Sequence, residues 1–286
     1  MHSFLYGPVF SRRLGSSLGI DLVPPKTCSF DCVYCECGAT TRLTTERSRF
    51  FPESEILAEV DRVLRAGPDA EYVTFAGSGE PTLSLSLGPV IRHIKEQYPG
   101  YRVAVITNGS LCWQPKVIAD LIPADLIIPT LSSAREETFL QVQRPAPGLS
   151  VNRIIDGLVG LRVAFPGEIR LEVFLVPPLN TTRREIAALR HVIRRIQPDR
   201  VQLNTLDRPG TEGWVRPVPV EEMEAIRAFL EKGGQEVDVI GPEEDPAACA
   251  ISADLTIPAA VVPVPERAGP GTRKKPRGRP DHRYGR

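Results

Sequence analysis

The sequence is poor in the residues that several common classes of enzyme require. Of its four histidines, His2 and His282 lie near the chain ends, and His93 and His191 lie inside predicted helices. No histidine-based metal site or catalytic triad is therefore indicated. Positions 76 and 80 are Ala and Glu, which excludes a G-x-S-x-G nucleophile elbow around Ser78. Neither a Walker phosphate-binding loop nor a G-x-G-x-x-G fingerprint is present.

Long apolar runs are missing as well. No stretch has the length needed to cross a bilayer, and the N-terminal segment lacks the order of residues that marks a secretory signal. We therefore expect a cytoplasmic protein that makes no membrane contact. In that reducing compartment, six cysteines predict metal ligands and free thiols rather than a disulfide framework. Cys112 and Cys249 are expected to be ordinary thiols.

The 286 residues are 42% hydrophobic, which is enough for a sizeable core in one large domain or two small ones. The formal net charge is zero, but it is unevenly distributed. Residues 266–286 hold eight Arg or Lys and two acidic residues. The rest of the chain therefore holds 27 basic and 33 acidic residues, a net charge of about −6. This segment is rich in Pro and Gly and poor in apolar residues, which predicts disorder. We expect a core domain at 1–241, a Pro-rich extension at 242–265 and a disordered basic tail at 266–286.

Three cysteines lie in one short loop, written C-S-F-D-C-V-Y-C, at Cys28, Cys32 and Cys35. Thiolates are the usual protein ligands of a [4Fe-4S] cluster, whose four irons each need one ligand. Three cysteines leave one iron open, and an open iron can bind a small molecule and pass an electron to it. Two alternatives stay open. Cys37 could bind the fourth iron, or the four cysteines could form a zinc knuckle, although structural zinc sites usually hold their second ligand pair a dozen or so residues away.

Apolar runs rich in β-branched residues alternate with amphipathic stretches, which is typical of a parallel sheet with crossover helices. Strands are predicted at about 18–23, 71–76, 102–107, 125–131, 169–176 and 200–206, with 236–240 as a candidate edge strand. Helices are predicted near 53–66, 85–97, 115–121, 151–164, 182–196 and 219–231. Six βα units are too few to close an eight-stranded barrel. We therefore predict an α/β fold with an open, partial (β/α)6 TIM-like barrel.

Polar motifs follow the ends of the predicted strands. In barrels of this kind, chemistry lies on the loops that leave the carboxyl ends of the strands, so these motifs should share one rim. Glu172 is different, because it lies inside a strand, where an inward carboxylate is costly unless it is bonded. Arg170 is on the same face by period-two alternation, so an ion pair and a ligand contact are both open. The rim motifs are the cysteine loop, Gly77-Ser78-Gly79-Glu80-Pro81, Thr107-Asn108-Gly109, Ser132-Ser133, Asn180, and Asn204 with Asp207.

The C-x3-C-x2-C spacing, with Tyr34 before the last cysteine, resembles the cluster loop of the radical S-adenosylmethionine (SAM) superfamily. The resemblance extends over about residues 5 to 240. Within the superfamily, G-x-D at 19–21 and G-S-G-E-P-T-L at 77–83 are similar to the iron-sulfur oxidoreductases related to wyosine-forming tRNA enzymes. The resemblance implies the partial barrel, a [4Fe-4S] cluster on three cysteines, and SAM at the open iron.

The resemblance also implies roles for residues on the rim. The segment 77–81 would align its backbone and Glu80 with the methionyl ammonium of SAM. Ser132 and Ser133 stand where relatives often carry Ser or Asp for the SAM carboxylate or ribose, and Asn180 resembles an Asn at the same strand end. The cofactor-binding candidates are Gly77, Ser78, Gly79, Glu80, Asn108, Ser132, Ser133, Glu172 and Asn180.

The reaction implied is reductive cleavage of SAM to methionine and a 5′-deoxyadenosyl radical, which abstracts hydrogen from a substrate. An external one-electron reductant of the flavodoxin or ferredoxin type would be needed. Wyosine-forming relatives carry further cysteines before the triad and use a lysine to capture a keto acid; this chain has no cysteine before Cys28, and Lys26 is its only lysine near the rim. We slightly favour an RNA base; the basic tail either contacts RNA phosphates or serves only to keep the chain soluble. The alternatives are a peptide or protein substrate, or a non-enzymatic Fe-S or zinc-binding protein.

Overall fold

The computed structural model describes residues 3–240. The predicted extension at 242–265, the basic tail at 266–286 and Cys249 lie outside the described residues and stay predictions. Within the described part, every helix is too short or too polar to span a lipid bilayer.

One eight-stranded sheet organises the fold, with strand order β1-β2-β5-β6-β7-β8-β9-β10. The six strands from β2 to β9 in this order are parallel and match the six predicted strands, and β10 adds a parallel edge strand where one was proposed. A separate two-stranded sheet pairs β3 with β4. The strands are β1 Leu5–Ser11, β2 Gly15–Ile20, β3 Thr27–Cys28, β4 Arg42–Leu43, β5 Tyr72–Phe75, β6 Arg102–Thr107, β7 Leu126–Pro129, β8 Glu168–Phe174, β9 Arg200–Asn204 and β10 Val237–Val239.

Helices connect the parallel strands, and their starts follow ordinary capping chemistry. Ser150 and Thr182 each accept a hydrogen bond from the backbone three residues on, which satisfies a free N–H of the first turn. Pro115 occupies the first turn of its helix, where the missing N–H costs nothing. The helices are α1 Glu53–Leu64, α2 Leu87–Gln97, α3 Pro115–Leu121, α4 Glu136–Val142, α5 Val151–Ala164, α6 Arg183–Ile196 and α7 Val220–Glu231. The partial (β/α)6 architecture is thus confirmed.

Four elements were not predicted: β1, α4 and the two-residue strands β3 and β4. β1 reads L-Y-G-P-V-F-S, and its Gly-Pro pair signals a turn rather than a strand. The strand accommodates the pair through a register shift between Tyr6 and Val9 in its antiparallel ladder with β2. α4 has only seven residues, which is too short for a helical period to stand out in the sequence.

The two faces of the sheet have separate cores, because successive side chains of a strand point to opposite faces. On the outer face, Phe75, Val105 and Ile127 belong to the main core together with helix residues such as Ile91 and Leu158. Full burial of each such side chain contributes roughly 1.5–3 kcal/mol relative to its exposed state. This face fixes the sheet against its helices.

The inner face carries a smaller apolar cluster at the amino ends of the strands. It consists of Tyr72, Ala104, Leu126 and Ile128, and Leu14 from the β1–β2 hairpin packs against them. We call residues 12–14 the hairpin tip. Leu14 is 4% exposed, so the hairpin tip covers the amino-terminal end of the barrel interior and leaves the carboxyl ends of the strands as the open rim.

Candidate functional site

The cysteine loop leaves β2 and begins at β3, which ends with Cys28. The backbone of the loop is ordered by hydrogen bonds from Cys35 N to Cys32 O (3.1 Å) and from Val33 N to Val142 O (3.0 Å). The Cys28 carbonyl accepts from Thr44 N at 2.9 Å. Cys28, Cys32 and Cys35 are all partly buried free thiols. The loop therefore holds three thiols at the rim in a defined backbone conformation.

The three thiols are close enough to affect one another's titration. Burial raises the pKa of Cys32, and negative charge on Cys28 and Cys35 raises it further. Burial, followed by the charge of Glu80, raises the pKa of Cys28 to about 12. Three thiolates this close together repel one another, so they are stable as anions only when a cation compensates their charge. A bound metal supplies that positive charge and deprotonates the thiols that coordinate it. The donor set therefore fits an iron-sulfur cluster.

Hydrogen-bond donors already point at two of these sulfurs. Lys26 Nζ lies 3.3 Å from Cys35 Sγ, and Asn108 Nδ2 lies 3.5 Å from Cys28 Sγ. The Phe30 N–H also donates to Cys28 Sγ at 3.5 Å. Hydrogen bonds to ligand sulfurs are one of the means by which proteins set a cluster's reduction potential. Their presence at the loop agrees with the cluster assignment.

Cys37 is exposed and interacts with the last cysteine of the triad. A hydrogen bond with Cys37 lowers the pKa of Cys35 to about 5, and the same contact raises the pKa of Cys37. Within residues 3–240, no group of three or more Cys, His, Asp or Glu side chains is arranged to hold a single metal ion. A zinc knuckle of the four cysteines and a fourth cluster ligand at Cys37 therefore stay open as alternatives.

The glycines of the G-S-G-E-P segment are required by close approach of the chain to itself. A Cβ on Gly77 would lie 2.2 Å from Asp21 Cγ, and one on Gly79 would lie 2.1 Å from the carbonyl oxygen of Thr27. Asp21 Oδ2 accepts from Ser78 N and Ser78 Oγ, both at 2.9 Å. The G-x-D motif and this segment therefore form one unit that presses against the start of the cysteine loop.

Glu80 is 2% exposed and connects two rim loops. Its Oε1 accepts from Thr82 N, Thr82 Oγ1 and Thr107 Oγ1 at 3.0, 2.5 and 2.6 Å, and its Oε2 accepts from Asn108 N at 2.7 Å. Burial raises the pKa of Glu80, while these donors oppose the shift. Both oxygens are thus occupied by the chain itself. A contact of Glu80 with the SAM ammonium stays a prediction.

We expect Glu80→Ala to lower the free energy of unfolding by roughly 2–4 kcal/mol, because its donors would lose their acceptor and each unpaired buried polar group costs about 1–3 kcal/mol. Urea unfolding measures this change. Glu36→Ala, at an exposed position of the cysteine loop, is the control and should stay within about 0.5 kcal/mol of wild type. Equal stability of the Glu80→Ala variant and wild type would contradict the bracing role.

The raised pKa of Glu80 also predicts a pH dependence. The folded chain binds this proton more tightly than the unfolded chain does, so the associated stability is complete below the ordinary pKa of 4.5 and is lost as pH rises through the raised value. Glu80→Gln does not titrate. We therefore expect the unfolding free energy of wild type, measured relative to Glu80→Gln, to fall as pH increases from about 4.5. A difference that stays constant over this range would refute the assignment.

Two further candidates lie beside the triad. Asn108 contacts Cys28 through Nδ2, which also donates to Ser29 Oγ at 2.9 Å. Ser132 is fully buried, and its Oγ lies 3.4 Å from the Tyr34 hydroxyl. The Tyr34 ring stacks on Phe174 with centroids 3.9 Å apart. Asn108 and Ser132 are therefore brought to the cysteine loop from β6 and β7.

Ser133 and Asn180 instead fix the backbone behind the rim. Ser133 Oγ donates to Arg135 O at 3.0 Å. The Asn180 side chain accepts from Val176 N at 2.6 Å and donates to the carbonyls of Ser132 and Phe174, both at 2.8 Å. Both side chains are fully buried. Their predicted contacts with SAM stay predictions, and their observed role is to hold the loops after β7 and β8.

Glu172 lies on the inner face of the sheet, and its ion-pair partner is Arg13 rather than Arg170. It pairs with Arg13 of the hairpin tip at 2.9 Å and accepts from Thr130 Oγ1 at 2.7 Å and Asn204 Nδ2 at 2.9 Å. The proposed ion pair with Arg170 is wrong. Arg170 pairs with Glu168 at 2.7 Å, because that carboxylate is also two residues away on the same strand.

Sequence reasoning missed Arg13 and the segment at 206–217. Arg13 stands far from Glu172 along the chain, and only the R-R pair after β1 hinted at a polar role. Asp207 was expected on the rim. It forms an ion pair with Arg12 at 2.7 Å, which connects the hairpin tip to the segment after β9.

Comparison with known proteins agrees with the site. The family model for the radical SAM superfamily matches residues 22–193, a range that contains the triad, Glu80, Asn108 and Glu172. The chain belongs to the radical SAM superfamily and is an enzyme of that class. The superfamily prediction made from the cysteine spacing is confirmed.

Among named relatives, the chain groups with the UPF0026 proteins. It is 32% identical to a UPF0026 protein of Methanocaldococcus jannaschii over 244 residues, which cover 84% of this chain and 75% of the relative. It is 38% identical over 236 residues to a protein of Brachyspira hyodysenteriae named GTPase Obg. The aligned residues cover 82% of this chain and 35% of that protein. The chain thus spans about a third of the Brachyspira relative.

Solved structures share the fold at low identity. A radical SAM methyltransferase from Sphaerobacter thermophilus superposes with a TM-score of 0.61 at 16% identity, covering 81% of this chain and 67% of that one. A structure of TYW1 with a lysine-pyruvate adduct bound gives a TM-score of 0.56 at 15% identity, covering 77% and 75%. At these identities the likeness establishes the architecture of the radical SAM type.

Proposed function

We propose that Cys28, Cys32 and Cys35 hold a [4Fe-4S] cluster at which the protein cleaves SAM reductively, and that the substrate is a base in tRNA. The observation that carries the first part is the set of three electrostatically coupled thiols in one ordered loop at the open rim. When bound, the cluster and SAM supply a 5′-deoxyadenosyl radical that abstracts a hydrogen atom from the substrate.

The chain's own residues position the rim loops and contact the sulfurs of the triad. Asp21 and Glu80 hold the loops after β2, β5 and β6 in one arrangement through backbone and hydroxyl hydrogen bonds. Lys26 and Asn108 donate to sulfurs of the triad, which stabilises negative charge there. The Tyr34 ring stacks on Phe174 of β8, which fixes the cysteine loop against that strand.

The electron donor is proposed to be an external protein of the flavodoxin or ferredoxin type. Support comes from the position of the cysteine loop, since Glu36, Cys37 and Thr41 are all exposed. A donor can therefore approach the triad directly from solvent.

An RNA substrate is supported by the base-rich composition of residues 266–286. A peptide or protein substrate is the alternative. GTP hydrolysis, suggested by the name of the Brachyspira relative, does not extend to this chain, because the sequence has no G-x-x-x-x-G-K-[ST] phosphate-binding loop.

Two measurements test the proposal. Protein purified without oxygen should be brown and should convert SAM to 5′-deoxyadenosine in the presence of dithionite; a colourless, zinc-containing protein would overturn the cluster assignment. Mass spectrometry of tRNA nucleosides should show one modified nucleoside that disappears when the gene is deleted and returns on complementation. An identical nucleoside profile with and without the gene would remove the RNA substrate and leave the radical chemistry standing.

A further inference from the structure

The segment between β9 and α7 forms a closed loop over the rim, which we call the 206–217 loop. Its two ends meet, because Val218 N donates to the hydroxyl of Thr205 at 2.8 Å. A compact loop with joined ends is an Ω-loop, and such loops frequently carry function.

The 206–217 loop lies directly against the backbone of the cysteine loop. Thr211 Oγ1 donates to Cys35 O at 3.0 Å, and Glu212 N donates to Val33 O at 3.0 Å. Gly210 fits so closely that a Cβ on it would lie 2.9 Å from the carbonyl carbon of Tyr34. The 206–217 loop therefore packs directly against the loop that is proposed to hold the cluster.

A cavity of about 380 Å³ opens within the 206–217 loop and carries an excess of positive charge. Four charged residues line it, and its two acids are neutralised from outside. Asp207 pairs with Arg12 at 2.7 Å, and Glu212 pairs with Arg144 at 2.6 Å. The other two lining charges are arginines, Arg208 and Arg216.

These two arginines remain available to a ligand. Within residues 3–240, no carboxylate forms an ion pair with Arg208 or Arg216. Arg216 donates through Nη1 to the carbonyls of Gly213 and Val215, which positions its guanidinium group and leaves Nε and Nη2 for another acceptor. Both side chains belong to exposed residues. A guanidinium fork is suited to bidentate binding of phosphate oxygens.

An aromatic ring on the same loop favours a nucleic acid over other anions. Trp214 lies between the two arginines in sequence and is 45% exposed. Aromatic side chains beside cationic groups bind single-stranded RNA, because bases stack on the ring while arginines hold the backbone. An acidic peptide would use the arginines but would gain little from the ring.

We propose that Arg208 and Arg216 bind backbone phosphates of the RNA substrate in the 206–217 loop, with Trp214 stacking on an adjacent base. The inference rests on the proposed function and names the surface that presents the RNA. Because the cavity shares a wall with the cysteine loop, a nucleotide anchored there has its neighbour at the open rim. This gives the core domain a specific RNA contact that is separate from the basic tail.

The test compares binding of an unmodified tRNA transcript to four full-length proteins by filter retention at several salt concentrations. We expect Arg208→Ala combined with Arg216→Ala to weaken binding about tenfold or more and to reduce the slope of log K against log salt by about 2, one per lost phosphate contact. The matched control is Arg62→Ala combined with Arg194→Ala, two exposed arginines away from the cavity, and it should retain the wild-type slope. The fourth protein, Trp113→Phe, leaves Trp214 as the only tryptophan, whose fluorescence tRNA should quench.

The outcomes separate this inference from the proposed function. If wild type binds tRNA but the Arg208/Arg216 double variant keeps the wild-type affinity and slope, the loop assignment is wrong and the RNA substrate stands. If wild type fails to bind tRNA, both fall, while SAM cleavage by the same protein still decides the radical chemistry. Binding of polyglutamate that the double variant abolishes, with tRNA binding unchanged, would assign the arginines to a protein ligand.

Discussion

Cys32→Ala is expected to reduce bound iron to background and to abolish formation of 5′-deoxyadenosine from SAM. Cys32 is the middle cysteine of the proposed ligand triad, and negative charge on Cys28 and Cys35 raises its pKa. Loss of one of three thiolates leaves two irons without a protein ligand, and such a cluster is not retained. Iron content, visible absorbance and SAM cleavage measure the result.

Cys37→Ala is the matched control, since Cys37 is an exposed thiol of the same loop that touches Cys35. We expect this variant to keep the iron content of wild type and to continue cleaving SAM. Loss of the cluster in Cys37→Ala would mean that the chain supplies four ligands and closes the iron at which SAM would bind. Full activity in Cys32→Ala would contradict the triad assignment outright.

Gly79→Ala should reduce SAM cleavage at least roughly 100-fold, because misplacement of reacting groups by about 1 Å is enough for a loss of that size. The added Cβ would lie 2.1 Å from Thr27 O, a backbone atom next to Cys28 that moves only if the cysteine loop moves. Overpacking of this kind also costs about 1–3 kcal/mol of stability. SAM cleavage and urea unfolding are measured on the same preparation.

Gly100→Ala serves as the control for Gly79→Ala. A Cβ on Gly100 meets no atom within 4 Å, so the substitution should leave SAM cleavage and iron content unchanged. If Gly79→Ala cleaves SAM at the wild-type rate, the segment 77–81 can shift without moving the triad, and the two motifs are not one mechanical unit.

Local patterns were enough to predict the triad and the parallel strands, because both depend on neighbours in sequence. The spacing of Cys28, Cys32 and Cys35 defines a ligand loop before any tertiary contact is known. The alternation of apolar runs likewise marks β6 at its observed bounds, 102–107. The superfamily and the strand positions could therefore be predicted from the sequence, and the ligand role of the three cysteines stays a prediction.

The contacts that could not be predicted join distant segments. The approach of Gly79 to Thr27 and the hydrogen bonds of Glu80 with Thr82, Thr107 and Asn108 were not predicted. Arg13 reaches Glu172 because the tip of the β1–β2 hairpin lies against the inner face of the sheet. A sequence shows that a buried carboxylate needs partners, but the choice among partners is made by topology.

The position of Leu14 affects the route by which molecules enter and leave the barrel interior during turnover. Leu14 fills the inner face at the amino ends of the strands, so reactants and products do not pass through that end of the barrel interior. The RNA substrate proposed above would cover the SAM site while it is bound at the rim. For that substrate we propose that the modified RNA leaves before SAM is exchanged in each cycle, so that steady-state turnover follows the lifetime of the enzyme–product complex.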